Sequence, residues 1–235
     1  MKIVSFSLWG DSPIYLHGFV ENMKLVEKYY PGWDIFLYTT KDCLQKLTPE
    51  IEASNVLVIT TMKEDPLSVW DASFWRYEAV LDGDISTCHP PAEAIIFRDA
   101  DSRISEREQK AVHQWLDSDK QFHIMRDHPY HTVPIMAGMW GLKLPLTKEA
   151  LRNKFVKIAK DSSDWHIDKK GADQEFLQYD VYNLIVNDSL IHVNNCNYRE
   201  DFAVDFPTKR LEDKSFVGEA FEADNTPHQW DRDLL

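Results

Sequence analysis

The spacing of hydrophobic residues in the first quarter of the chain predicts alternating strands and helices. Residues 3–8 alternate hydrophobic and small side chains and end at a loop that contains Gly and Pro, which is typical of a strand. Apolar residues then recur at helical spacing over 16–30, where a Pro-Gly pair ends the helix. This order predicts parallel strands with helices on both faces. The next expected segments are a strand at 33–38, a short helix at 43–47 and a strand at 56–59.

The rest of the chain continues this pattern around one short apolar segment. Residues 94–97 are four consecutive apolar positions with two isoleucines, which is typical of a strand buried on both faces. Residues 135–142 are apolar but hold two glycines, which often mark a close approach of backbone or ligand. Asp173 stands at the start of a further helix, where it is a candidate N-cap. The other expected segments are helices at 68–81, 106–116 and 151–159, strands at 122–125 and 190–193, and a polar loop at 162–171.

Length and composition fit one globular domain. The 235 residues are 43% hydrophobic, which suffices for a sizeable core, so we expect a single α/β domain with a central, mostly parallel sheet. Open sheets of this class bind ligands beyond the carboxyl ends of their strands. The loop at 9–15 and the end of the second strand, near Tyr38, therefore lie on the expected ligand-facing edge.

Charge and cysteine content narrow the expected partners and location. The net charge of −13 argues against nucleic-acid binding, because a phosphate backbone requires a cationic face. The three cysteines lie far apart, which fits reduced thiols better than a disulfide framework. The first residues do not resemble a signal peptide, and no apolar run approaches the length of a transmembrane helix. We expect a cytoplasmic protein without a membrane anchor.

Two carboxylates follow the central apolar strand. Asp99 and Asp101 are two positions apart at the strand's end, so their side chains point the same way and can converge on one point. Two carboxylates there would repel each other unless they shared a cation, and hard divalent ions such as Mn²⁺ or Mg²⁺ take oxygen ligands. The alternative is a solvated acidic turn after a core strand.

Four segments, taken together, resemble the nucleotide-sugar glycosyltransferases of the GT-A fold, most nearly families 8 and 32. Residues 74–81 resemble the Arg-Tyr helix that precedes the metal motif in family 32, and residues 97–101 resemble the Asp-x-Asp motif itself. Residues 137–139 resemble the small-residue segment that lines the donor-sugar pocket. Residues 172–174 resemble the Asp-Gln pair that family 8 places near the anomeric carbon. The usual Gly-Gly-x-Tyr before the metal motif is absent, so the family within the fold stays open.

This resemblance implies a single-domain GT-A (Rossmann-like) fold over residues 1–235. Residues 1–100 would form mainly the nucleotide-binding half, residues 101–195 the donor-sugar and acceptor half, and residues 196–235 a polar segment that packs on or covers the site. The implied activity is metal-dependent transfer of a sugar from a UDP- or GDP-sugar donor to a hydroxyl acceptor such as a glycan, with Mn²⁺ or Mg²⁺ bridging the donor phosphates.

The resemblance also implies roles for individual residues. Asp101 is the first choice as metal ligand, and Asp99 binds metal or ribose. His192 either completes the metal site, as a late His does in family 8, or is a structural histidine. Asp173 and Gln174 would lie at the reaction centre with retention favoured, although Asp173 could equally be a base or a helix cap. The expected donor-binding residues are Ser7, Trp9, Tyr38, Arg76, Arg98, Ala100, Asp127 and Gly138, and the expected acceptor-binding residues are His128 and Trp140.

Some of these residues have plainer interpretations, and two other function classes compete. Arg76 could form an ordinary surface salt bridge, and Arg98 could pack against an acidic cluster. A metal-dependent nucleotidyltransferase also uses an Asp pair on an α/β sheet, but it usually has a Gly-rich or basic phosphate loop after the first strand, which residues 9–13 lack. A non-catalytic carbohydrate-binding protein would use the eight Trp and nine Tyr to stack on sugars.

Overall fold

A seven-stranded sheet forms the centre of the computed structural model, which describes residues 1–66, 71–85, 90–160 and 170–235. The strands lie in the order β3-β2-β1-β4-β6-β5-β7. They are β1 (Lys2–Leu8), β2 (Asp34–Thr40), β3 (Val58–Lys63), β4 (Ala94–Phe97), β5 (Phe122–Arg126), β6 (Trp140–Lys143) and β7 (Ser189–Val193).

The sheet is mostly parallel. Strand β1 pairs in parallel with both β2 and β4, and the pairs β2–β3 and β5–β7 are also parallel. Strand β6 lies between β4 and β5 and runs antiparallel to both. The carboxyl ends of β1 and β4 therefore meet at the same edge of the sheet, and the loops that follow them are neighbours.

The helices are mostly short and connect the strands. They are α1 (Pro13–Tyr29), α2 (Lys41–Glu52), α3 (Ala79–Ile85), α4 (Glu106–Leu116), α5 (Glu149–Lys160), α6 (Ala172–Phe176), α7 (Tyr182–Ile185) and α8 (Gln229–Arg232). A 3₁₀ helix at Asp71–Glu78 precedes α3, and a π-helical turn at Leu177–Val181 joins α6 to α7. Among the described residues, no helix combines the length and apolar character needed to cross a bilayer.

Two hydrophobic cores lie on opposite faces of the sheet, because successive side chains of a strand point to opposite faces. On β1, Val4 and Phe6 pack with Phe19 of α1 on one face. Ile3 packs on the other face, in the core that contains Phe74 and Phe155. The predicted α/β class, with a mostly parallel sheet and helices on both faces, is confirmed. The division into a nucleotide-binding half and a sugar half stays a prediction.

Three local predictions differ from the structure. The helix expected at 68–81 is a 3₁₀ helix over Asp71–Glu78 followed by α3, and the main-chain N–H and carbonyl of Arg76 bond to the hydroxyls of Ser7 and Ser5 of β1. Residues 68–70 lie outside the described part. The strand expected at 135–142 begins only at Trp140. Asp173 is not an N-cap: α6 begins at Ala172, after Gly171 in the left-handed region with φ 83°. The loop expected at 162–171 lies almost wholly outside the described residues.

Candidate functional site

A cavity that gathers chemically active side chains opens at the carboxyl ends of β1 and β4. Its volume is about 530 Å³. The loop after β1, the loop after β4, the 3₁₀ helix and the start of α6 surround it. It is lined by residues 7–12, Tyr15, Ser73, Arg76, residues 99–101, Ala137, Lys170, Gly171, Asp173 and Gln174.

The main chain of Arg76 is fixed to the sheet by two serines of β1. Ser5 and Ser7 are two positions apart and point to the same face of the strand. The Ser5 hydroxyl donates to the carbonyl oxygen of Arg76 at 2.8 Å, and the Arg76 N–H donates to the Ser7 hydroxyl at 2.8 Å. Ser7, predicted to bind the donor, thus lines the cavity while holding Arg76 in place.

The guanidinium of Arg76 joins two aspartates that are far apart in the chain. Its Nη1 donates to the Asp99 carboxylate and to the carbonyl oxygen of Arg98 at 3.1 Å. Its Nη2 donates to Oδ2 of Asp173 at 2.9 Å, and its Nε donates to the carbonyl oxygen of Ser73 at 3.2 Å. Burial lowers the pKa of Arg76, but the charges of Asp99 and Asp173 outweigh it, so the pKa lies above its usual value. Arg76 is therefore a permanently charged cross-link beneath the cavity.

Asp101 lines the same cavity as Asp99, but its negative charge is less well balanced by neighbouring cations. Burial, with the Asp99 charge second, raises the pKa of Asp101 to about 6. Two carboxylates held this way favour a cation, and Mg²⁺ in particular is often bound by one or two carboxylates plus substrate phosphates. Among the described residues, no three His, Cys, Asp or Glu side chains are grouped so as to hold a metal ion by themselves. The residues present fit an ion that takes its remaining ligands from substrate and water.

Gly138 makes room for Asp99. A Cβ atom on Gly138 would overlap the Asp99 carboxylate and crowd the Asp99 main-chain nitrogen. A glycine of segment 135–142 was expected to mark a close approach of backbone or ligand. At Gly138 a close approach is found, but the approaching group is the side-chain carboxylate of Asp99. Likewise, a Cβ atom on Gly18 of α1 would overlap the carbonyl oxygen of Ala100.

The side-chain amide of Gln174 is bound to the loop that carries Gly138. Its Oε1 accepts the N–H of Ala137 at 3.0 Å, and its Nε2 donates to the carbonyl oxygen of Ile135. Gln174 therefore fixes this loop beside the cavity. Burial raises the pKa of the neighbouring Asp173, and Arg76 opposes that shift.

The structure brings eight of the predicted site residues to this cavity, and Gly138 lies behind Asp99. The eight are Ser7, Trp9, Arg76, Asp99, Ala100, Asp101, Asp173 and Gln174.

Three predicted donor-binding residues have their polar groups in other contacts. The Tyr38 hydroxyl donates to Asp82 at 2.7 Å. Arg98 is buried and pairs with Glu108 of α4 at 2.6 Å. Asp127 is fully buried and pairs with Arg107 and with Arg210, each at 2.8 Å. These side chains stabilise the fold around the cavity and do not line it.

The two predicted acceptor-binding residues are also structural. The His128 ring stacks on Phe216, with centroids 4.3 Å apart, and its Nε2 contacts the carbonyl oxygen of Asp231. Trp140 is buried in the core, where its ring lies 4.5 Å from that of Phe97.

His192 does not join the two aspartates. Its Nδ1 lies 2.8 Å from Nε2 of His123, and its Nε2 lies 3.1 Å from Oε1 of Gln114. Burial, followed by the charge of Arg107, lowers the pKa of His192 to about 4. Both ring nitrogens are thus used inside the protein, as expected for the structural alternative.

Tyr15, Asp11, Ser73 and Lys170 also line the cavity, although the sequence did not single them out. Burial and the charges of Asp101 and Asp99 raise the pKa of Tyr15, so its hydroxyl stays protonated beside the aspartate pair. Asp11 lies in the loop after β1, which was expected to extend to residue 15, whereas Tyr15 lies in the first turn of α1, which begins at Pro13. The position of this segment after the first strand was a usable signal. No pattern pointed to Lys170.

Comparison with known proteins gives no family. No protein-family model matches the chain, and no curated protein matches it. Among solved structures, 4-diphosphocytidyl-2C-methyl-D-erythritol synthase from Anaerococcus prevotii is 11% identical, covering 88% of this chain and 92% of its own, with a TM-score of 0.48. HddC from Yersinia pseudotuberculosis is 16% identical, covering 60% and 75%, with a TM-score of 0.40. The galactosyltransferase LgtC, solved with donor and acceptor sugar analogues, is 14% identical, covering 82% and 73%, with a TM-score of 0.43.

Proposed function

We propose that this protein is a metal-dependent glycosyltransferase that moves a sugar from a UDP- or GDP-sugar to a hydroxyl acceptor such as a glycan. The observation that carries the proposal is the convergence of Asp99, Asp101 and Asp173 around the buried guanidinium of Arg76, at the edge where α/β sheets bind ligands. The resemblance of four segments to glycosyltransferase families supports the same reading.

The charge of the cavity favours a metal-bound donor over a free anion. Among the described residues that line it, four are aspartates, at positions 11, 99, 101 and 173, and two are cations, Arg76 and Lys170. Arg76 is already engaged by two of those carboxylates. A nucleoside diphosphate would be repelled from such a surface unless a divalent cation entered with it.

Under this proposal, Asp101 and Asp99 hold a Mn²⁺ or Mg²⁺ ion through hard carboxylate oxygens. When bound, the ion supplies positive charge that stabilises the diphosphate as it leaves. Arg76 has five N–H groups, of which four are used within the protein, so its role is to position Asp99 and Asp173. Trp9 and Tyr15 form the apolar walls of the cavity on the β1 side.

The reaction is proposed to retain the anomeric configuration. Asp173 and Gln174 resemble the pair found beside the anomeric carbon in a retaining family, and both line the cavity. Asp173 is held by Arg76, which keeps its carboxylate in one orientation. Proton NMR of the first-formed product tests this point, since an inverted anomer would identify a base-assisted displacement instead.

The primary test is a panel of UDP- and GDP-sugars, scored by release of nucleoside diphosphate with Mn²⁺ and with EDTA. We expect release only with metal. Asp101→Asn removes a ligand charge with little change in volume, so it should abolish release without unfolding the protein. The matched control is Asp201→Asn, at an exposed position, which should release nucleoside diphosphate like the parent.

The same assay separates the alternatives. Release of pyrophosphate from a nucleoside triphosphate and a sugar phosphate would identify a nucleotidyltransferase. Calorimetric binding of free sugar that is indifferent to nucleotide and metal would identify a carbohydrate-binding protein. Full activity of Asp101→Asn, or activity insensitive to EDTA, would refute the metal assignment.

A further inference from the structure

The two outer edges of the central sheet differ. Strand β7 ends the sheet on one side, where main-chain bonds join it to the C-terminal segment. The N–H of Val193 donates to the carbonyl oxygen of Val204, and the N–H of Val204 donates to that of Ile191, each at 2.9 Å. Strand β3 ends the sheet on the other side. Among the described residues, no strand or isolated bridge pairs with the outer edge of β3.

The main-chain groups of Val58, Thr60 and Met62 point away from the sheet. In a parallel pair, alternate residues of a strand bond to its neighbour. Ile35 of β2 donates its N–H to the carbonyl oxygen of Leu57 at 2.9 Å, so the odd-numbered residues of β3 bond to β2. The even-numbered residues therefore present their N–H and carbonyl groups at the outer edge, where the described part of the chain offers them no partner.

This edge lacks the features that normally prevent edge strands from pairing. Natural proteins protect such edges with charged side chains, proline or bulges, because an unpaired edge is a template for another strand. Residues 56–62 contain no charge and no proline, and β3 pairs with β2 without a bulge. Two large apolar side chains are also exposed here, Leu57 at 51% and Met62 at 48%. The edge is therefore suited to bind a further β-strand.

The sequence of β3 is complementary to itself in the antiparallel direction. A two-fold axis through Thr60 places Thr60 of one copy opposite Thr60 of the other, and Val58 opposite Met62. These residues carry the outward main-chain groups, so each outward N–H meets a carbonyl oxygen of the other copy. Between them, Ile59 lies opposite Thr61. Cross-strand pairs of this kind are favourable, and no like charges face each other.

The same register covers the two exposed apolar side chains. Met62 of each copy lies beside Val58 of the other, and Val58 already packs against the core that contains Phe19. Leu57 lies opposite Lys63, whose aliphatic stem covers it. The ammonium group of Lys63 keeps its contact with Glu78 at 2.6 Å.

We propose that β3 pairs with β3 of a second copy of this chain, antiparallel and with Thr60 on the two-fold axis. Both copies contribute the same residues, as in other two-fold symmetric dimers. The proposal is independent of the proposed transfer reaction, because no residue of β3 lines the candidate active site. Since the paired strands run in opposite directions, the two candidate sites open at opposite edges of the joined sheet.

Sedimentation equilibrium of the full chain tests for the dimer. At about 100 µM protein we expect the mass of two chains, falling towards one chain on dilution, because a small interface is transient. A parent that sediments as one chain at every concentration would overturn the proposal. In that case a β-strand of another protein would be the remaining occupant to consider.

The decisive variants are Thr60→Lys and Thr60→Glu. Thr60 is exposed, so either side chain is compatible with the fold. Each variant alone places two like charges opposite each other on the axis, which should weaken the dimer about tenfold or more. An equimolar mixture places Lys opposite Glu and should restore the dimer. Restoration requires position 60 to face position 60, so the mixture tests the register itself.

A matched pair of variants tests the surface. Met62→Lys and Leu211→Lys each replace an exposed apolar side chain with a charged one, and Leu211 lies outside β3 with 65% exposure. Met62→Lys should weaken the dimer, whereas Leu211→Lys should leave it unchanged. Far-UV circular dichroism checks that each variant keeps the fold. The proposal is overturned if Thr60→Lys dimerises like the parent, if the mixture stays monomeric, or if Leu211→Lys loses the dimer and Met62→Lys keeps it.

Discussion

Nη2 of Arg76 donates to Oδ2 of Asp173 at 2.9 Å, across 97 positions of the chain. Both side chains are buried, with exposures of 7% and 9%. The same guanidinium binds Asp99, so one cation fixes a carboxylate from the loop after β4 and another from α6. The shape of the cavity therefore depends on a single arginine.

Arg76→Ala should destabilise the protein strongly. Removing one partner of a buried ion pair leaves an uncompensated charge, which costs about 3–5 kcal/mol of the free energy of unfolding. Urea denaturation measures this loss. The control is Lys24→Ala, which breaks an exposed pair with Glu21 and should cost about 0–1 kcal/mol. Equal losses in the two variants would contradict the central role of Arg76.

Gly138→Ala should impair metal-dependent turnover more than it impairs folding. The added methyl group would occupy the space of the Asp99 carboxylate and displace it from Asp101. We expect a higher Mn²⁺ concentration at half-maximal rate, measured by nucleoside diphosphate release. Gly83→Ala in α3 is the control, since a Cβ there meets only side chains. If Gly138→Ala required the same Mn²⁺ concentration as the parent, the absence of a side chain at position 138 would not be needed to place the Asp99 carboxylate for metal binding.

The position of the aspartate pair was predictable because it depends on strand periodicity. Asp99 and Asp101 follow a buried strand two positions apart, and the structure places both in one cavity. Gly138, which lies against Asp99, was also predictable from local sequence, because a glycine within an apolar segment often marks a close approach. The roles of the two aspartates as metal ligands stay a prediction.

The other residues could not be placed from the sequence, because distant partners decide where they point. Asp127 resembles a ligand-binding residue in its loop, but it is enclosed by Arg107, 20 positions before it, and Arg210, 83 positions after it. His192 pairs with a second histidine on the neighbouring strand, and hydrophobic periodicity carries no information about that contact. The same holds for Arg76, whose two carboxylate partners lie in the loop after β4 and in α6.

Acid should destabilise the protein partly through His131. Its Nδ1 accepts the N–H of Asp127 at 2.9 Å, so the folded state needs the neutral ring. Burial, followed by the charge of His128, lowers the pKa of His131 to about 3. This pKa lies below that of a histidine in the unfolded chain, near 6.5. The stabilisation that His131 gives to the folded state is therefore fully present above about pH 6.5 and is lost as the pH drops towards 3.

The measurement for His131 compares the unfolding free energy of the parent and of one variant at two pH values. His131→Asn keeps an acceptor near the Asp127 N–H but does not titrate. Between pH 7.5 and pH 5, the parent should lose about 2 kcal/mol more of its unfolding free energy than the variant. Other titrating groups, including His192, cancel in this comparison. Parallel losses in parent and variant would contradict the assignment.

Gln174→Glu should weaken the loop beside the cavity in a pH-dependent way. The amide of Gln174 both accepts from Ala137 N–H and donates to the carbonyl oxygen of Ile135. An ionised glutamate can accept but cannot donate, so it would place negative charge against that carbonyl oxygen. A protonated glutamate restores both bonds. The variant should therefore lose about 1–3 kcal/mol at pH 8, the cost of an unsatisfied buried group, and recover part of it relative to the parent at pH 5.

The control for this prediction is Gln174→Ala, which removes both bonds and has no group to protonate. Its loss relative to the parent should be the same at pH 8 and pH 5, as measured by urea denaturation. A Gln174→Glu variant that behaved like Gln174→Ala at both pH values would show that the two bonds do not hold the loop. Turnover is measured on the same samples to distinguish a role of Gln174 in holding the loop from a direct role in the reaction. If Gln174 holds the loop, the activity of Gln174→Glu should return together with its stability as the pH falls.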